Sequence, residues 1–88
     1  MRRSPEFVLS DVAGNHLLMP VGSAAINLNG MITLNDTGVM LWEQMEKDIS
    51  FEQLLAAITD RYEVSEETAR ADLLRFLDVM RGVNGIIE

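Results

Sequence analysis

The sequence has no cysteine, which removes disulfides, thiolate metal sites and thiol nucleophiles together. It has a single histidine, His16, with no second soft ligand near it, so the residue reads as a surface side chain on a strand beside a turn. Cations are scarce: seven Lys and Arg stand against fourteen Asp and Glu, for a formal net charge of −7. That balance opposes any polyanionic partner, nucleic acid and anionic membrane alike. No segment approaches the roughly eighteen consecutive apolar residues of a spanning helix. Met1-Arg2-Arg3-Ser4-Pro5-Glu6 leads into a strand-like segment instead of the apolar core of a signal peptide, so a cytoplasmic protein is expected. Asn29-Gly30 is a turn dipeptide and lacks the glycine spacing and following lysine of a phosphate loop. The acidic residues are spread at spacings that suit solvated helix faces, with Asp36, Glu66 and Glu67 accounted for by helix starts. No nucleophile with a base, carboxylate pair or metal cluster emerges. The chain is therefore expected to be no enzyme and to hold no metal and no cofactor.

What is present is ordinary globular composition. The 88 residues are 48% hydrophobic and 24% charged, enough for one domain spanning 1–88 and too few for two. The first third reads as strands. Phe7–Val12 is apolar and β-branched, Ala13-Gly14-Asn15 supplies a turn, and His16–Val21 returns as the second arm of a hairpin. Pro20 lacks the amide hydrogen of a central strand and belongs at a strand end or free edge. A third strand follows in Ala24–Leu28, with Ile26 and Leu28 on one face, broken at Asn29-Gly30 before Met31–Leu34.

The remainder reads as helices. Asn35-Asp36-Thr37 caps the first, with Gly38, Leu41, Trp42 and Met45 on one face. Ser50-Phe51-Glu52-Gln53 has the capping-box pattern and opens a second, striped by Phe51, Leu54, Leu55, Ile58 and Tyr62. The third begins at Ser65, places Glu66 and Glu67 in its first turn, and ends near Gly82 or Gly85. Trp42, Met45 and Met80 fall on core stripes and read as core filling. The predicted plan is α+β: a three-stranded antiparallel sheet followed by three helices.

Two features point outward. The third helix has a sufficient core stripe in Ala69, Leu73, Phe76, Leu77 and Met80, and its neighbouring stripe holds Arg70, Leu74 and Arg81. That flank is either a solvated face with Leu74 at the core margin or the wall of a groove for an acidic and apolar peptide. A three-stranded sheet in so short a chain also leaves an edge uncovered, and none of the strand candidates carries a lysine or arginine to blunt it. An extended peptide could add there as a further strand.

The stretch Pro20-Val21-Gly22, then Ala24 through Gly38 with its Leu34-Asn35-Asp36-Thr37-Gly38 element, and Leu41-Trp42 after it, resembles the PqqD family. The likeness continues through Tyr62-Glu63-Val64-Ser65 and Arg70-Ala71-Asp72-Leu73. It implies a winged helix-turn-helix-like RiPP recognition element, a domain without catalytic residues that binds the leader segment of a ribosomally synthesised precursor peptide. In that family the leader adds to the third strand, packs against the third helix and is presented to a modifying enzyme, often a radical S-adenosylmethionine (radical SAM) enzyme. Carried over residue by residue, the strand becomes Ala25, Ile26, Asn27 and Leu28 with Met31, Ile32, Thr33 and Leu34. The helix wall becomes Arg70, Leu74, Leu77 and Arg81.

The alternative is a winged-helix DNA-binding regulator, since the second and third helices with their short turn have the helix-turn-helix form. Its recognition helix would hold Arg70, Arg75 and Arg81 together with Glu66, Glu67, Asp72 and Asp78. That mixture suits phosphate contacts poorly, and no nucleic-acid partner is expected.

Overall fold

Residues 1–22 and 31–88 are described by the structure, a computed structural model. The first long strands form a hairpin, β2 (Phe7–Val12) and β3 (Asn15–Pro20), antiparallel with Phe7 opposite Pro20 and Val12 opposite Asn15. Ala13 and Gly14 connect them, both at positive φ (53° and 81°), as a two-residue hairpin turn of the primed type requires. β4 (Ile32–Leu34) pairs antiparallel with β3, Leu17 lying opposite Thr33, which gives the sheet order β2-β3-β4. Pro20 ends its strand, where its missing N–H costs no central ladder bond. Three helices follow: α1 (Asp36–Gln44), α2 (Phe51–Arg61) and α3 (Glu66–Gly82). The expected α+β plan is the one observed.

Two short strands were not expected from the sequence. β1 (Arg2–Arg3) pairs antiparallel with β5 (Ile86–Ile87), a two-residue ribbon that ties the ends of the chain together. Strands so short carry no detectable alternation; a tertiary contact defines them.

Each helix starts where its cap is. Asn35 accepts from the Gly38 amide at 2.8 Å, Ser50 and Gln53 complete a reciprocal capping box, and the Ser65 hydroxyl accepts from Thr68. Gly38 has a second reason to be glycine. A Cβ built there would stand 3.3 Å from both Asn35 Oδ1 and Leu34 Cβ, so its absence lets the first turn of α1 sit tightly on β4. The Leu-Asn-Asp-Thr-Gly element is thus a strand-to-helix joint: a buried leucine, a cap and a close approach.

Two apolar clusters fill the interior. The larger joins Leu41 and Met45 of α1's end, Leu54, Leu55 and Ile58 of α2, and Ala69, Leu73 and Leu77 of α3. The smaller lies under the sheet, with Phe7, Leu18, Leu34, Trp42 and Met80. Trp42 meets Phe7 edge-on at 6.5 Å between centroids, and the Arg3 guanidinium caps its ring at 5.7 Å. The tryptophan and the methionines at 45 and 80 are core, as their spacing indicated. Among the described residues no helix is long and apolar enough to cross a membrane.

Candidate functional site

A cleft of about 250 Å³ runs between β4 and α3. Ile32, Thr33 and Leu34 form one side, the start of α1 closes one end through Asn35, Thr37, Gly38 and Leu41, and α3 supplies Asp72, Arg75, Phe76, Val79 and Met80. Among the described strands β4 is paired on one side only, so its other edge faces this space.

The hairpin turn fixes which backbone groups point into it. In a two-residue hairpin the residues flanking the turn form a hydrogen-bonded pair, and bonded and non-bonded pairs then alternate. Counting from Val12–Asn15, Leu17 turns its backbone groups toward β2, while His16 and Leu18 turn theirs toward β4. Leu34 answers His16 and Ile32 answers Leu18, which leaves the N–H and C=O of Thr33 directed away from β3 along the free edge. One donor and one acceptor thus stand ready for an added strand, beside an apolar wall.

The α3 wall differs from the one carried over from sequence. At about 100° per residue, Asp72, Arg75, Phe76 and Val79 fall on one side of the Leu73 line, and Arg70, Leu74, Leu77 and Arg81 on the other. The cleft has the first set. Leu77 is fully buried between α3 and the other helices, where no peptide can reach it. Leu74 is exposed on the far flank. Arg70 is paired with Glu66 at 3.1 Å and lies over Phe51 at 5.6 Å, so it braces α3 against α2. Arg81 donates to Glu88 through both Nε and Nη2, at 3.0 and 2.7 Å, and holds that carboxyl below its usual range. On the strand side, Ile32, Thr33 and Leu34 do line the cleft, and Met31 just before them is exposed. Ala25, Ile26, Asn27 and Leu28 lie outside the described residues.

The helix period identifies both flanks, but the side on which the sheet edge lies depends on how the chain crosses from β4 through α1 and α2. The two cations favour the Arg70 flank on charge alone. On the other side, Phe76 followed one turn later by Val79 extends the apolar surface past the core stripe.

Cations on α3 are occupied as well as few. Each of Arg70, Arg75 and Arg81 has a carboxylate partner within 3.1 Å: Glu66, Asp72 and Glu88. With four carboxylates against three arginines, this helix has no net positive charge, which DNA binding would need.

His16 is not isolated. Its Nδ1 bonds to the Asp11 carboxylate across the hairpin, its Nε2 is 3.4 Å from Asp36 at the start of α1, and the Asp11 hydrogen bond is the main reason its pKa is raised. The trio pins the turn end of the hairpin to α1. Among the described residues no cluster of His, Cys, Asp and Glu could hold a metal ion.

Comparison with known proteins adds three findings. The family model for coenzyme PQQ synthesis protein D (PqqD) matches residues 7–86. A search of curated proteins found no match. Among solved structures, the chain is similar to one described as TbiB1 in complex with the TbiA(beta) leader peptide, with a TM-score of 0.74, 21% identity and full coverage of both chains.

Proposed function

This chain belongs to the PqqD family, and we propose that it binds the leader segment of a ribosomally synthesised precursor peptide and presents it to a modifying enzyme. The observation that carries the reading is the edge of β4, unpaired among the described strands, beside a cleft of mixed polar and apolar lining, with the Thr33 backbone groups turned outward. An exposed edge of this kind is an aggregation hazard unless something adds to it, and an extended leader would supply both the backbone partner and side chains for the cleft. Likeness of fold to a protein solved with a leader peptide supports a leader as the ligand. The peptide enters as a fourth strand on β4, one face of its side chains seated against Phe76 and Val79 of α3.

In this role the domain does no chemistry itself. Main-chain bonds along β4 hold the leader in register and the cleft selects its side chains, so the remainder of the precursor is delivered to an enzyme at a raised effective concentration. A radical SAM enzyme is the partner this reading assigns. Titration calorimetry of the isolated protein against leader peptides from the small reading frames beside its gene tests the binding step. Saturable binding by one of them is expected. Failure of every one to bind a protein with a native circular-dichroism spectrum would refute it.

A further inference from the structure

Arg75 and Val79 of α3 both line the cleft. They are one turn apart, four residues that rise about 6 Å along the helix axis. An extended chain advances about 3.3–3.4 Å per residue and returns a side chain to the same face at every second one, so two of its steps span nearly the same length. A strand lying along this face of α3, parallel to its axis, therefore sets side chains i and i+2 against these two positions.

The chemistry at the two points differs. Val79 stands beside Phe76 and offers an apolar seat. Arg75 is the only cation lining the cleft among the described residues. Its Nη2 donates to Asp72 Oδ1 at 2.9 Å, which uses one of five N–H donors and leaves the rest of the guanidinium exposed. Asp72 also steadies the arginine, lowering the side-chain freedom lost when a second carboxylate binds. Elsewhere the chain, at −7, repels an acidic peptide, so an acidic residue is tolerated best where it meets this arginine.

We infer that Arg75 sets the sequence preference of the site: the leader is read as an apolar side chain at Val79 and a carboxylate two residues away at Arg75. The inference rests on the leader-binding reading and adds to it the class of leader accepted.

The probe is a phage-displayed library of random peptides, panned in parallel on the wild-type protein, Arg75→Gln, Arg75→Glu and Val79→Asp, each first shown to be folded by circular dichroism. Wild type should select peptides with an apolar anchor and Asp or Glu two residues from it, enriched about three- to tenfold, the range expected of an exposed charge-assisted pair. Arg75→Gln should keep the anchor and lose the acidic preference, and Arg75→Glu should turn that position to Lys or Arg. Acid enrichment that survives Arg75→Gln, or an anchored wild-type pool with no acid at that spacing, overturns the inference and leaves leader binding standing. Selection unchanged by Val79→Asp overturns the placement of the peptide in this cleft. A folded wild-type protein that enriches nothing overturns both.

Discussion

The two flanks of α3 carry similar residues in different surroundings. Leu74 and Val79 are exposed to almost the same degree, 46% and 47%, and each stands beside an arginine with a carboxylate partner. Only Val79 faces the sheet edge across a cleft; Leu74 faces away, between an arginine that braces α2 and one that pairs with Glu88. Exposure and charge therefore do not make a binding wall. A wall needs an unpaired partner opposite it, and among the described strands the β4 edge offers one to the Val79 flank.

The largest effect should come from the residue that lies on neither surface. Leu77→Ala removes a fully buried side chain from the helical core and should cost about 2–5 kcal/mol in urea unfolding, whereas exposed Leu74→Ala should stay within about 0.5 kcal/mol. Equal losses would mean that Leu77 is not the buried member of its flank. Next, Val79→Asp puts a charge where an apolar leader side chain would seat, and should weaken leader binding at least about tenfold, or about 1.4 kcal/mol. Leu74→Asp, measured by the same calorimetry, should leave affinity unchanged; the reverse result would move the peptide to the far flank.

A smaller effect concerns His16. Its pKa is raised in the folded state, so the stabilisation it gives is complete below its ordinary value of about 6.5 and is lost as pH rises through the raised value. Thermal melts of wild type against His16→Gln should differ most at pH about 5–6 and converge in alkaline buffer, by a small margin because the group is solvent-screened. A gap that widens with pH would contradict the assignment. Smallest of all is Arg70→Glu, which breaks the Glu66 pair but lies on the flank away from the cleft, and affinity for the leader should hardly change. A loss matching that of Arg75→Glu would indicate general electrostatics.

Most of the fold was legible because its signals are local. Asn35, Ser50 and Ser65 announce the helix starts, and the stripes through Leu54, Ile58, Leu73 and Met80 place the core. The β1–β5 ribbon was not legible, since two-residue strands have no period and exist only through contact across the length of the chain. The site was half legible for the same reason. Strand positions Ile32 to Leu34 follow from the sequence joint at Leu34–Gly38, which ties β4 to α1. Which flank of α3 meets that strand is a property of the chain path, and a periodicity that is symmetric about the Leu73 line cannot express it.

The central claim is that a leader adds to the free edge of β4, and the Thr33 amide reports it most directly. Hydrogen exchange followed residue by residue should find this amide fast in the free protein, because its N–H faces away from β3. With a leader peptide at saturation it should slow at least about tenfold as it donates to the added strand. Saturable peptide binding with exchange at Thr33 unchanged, and protection appearing instead along the outer edge of β2, would contradict the account.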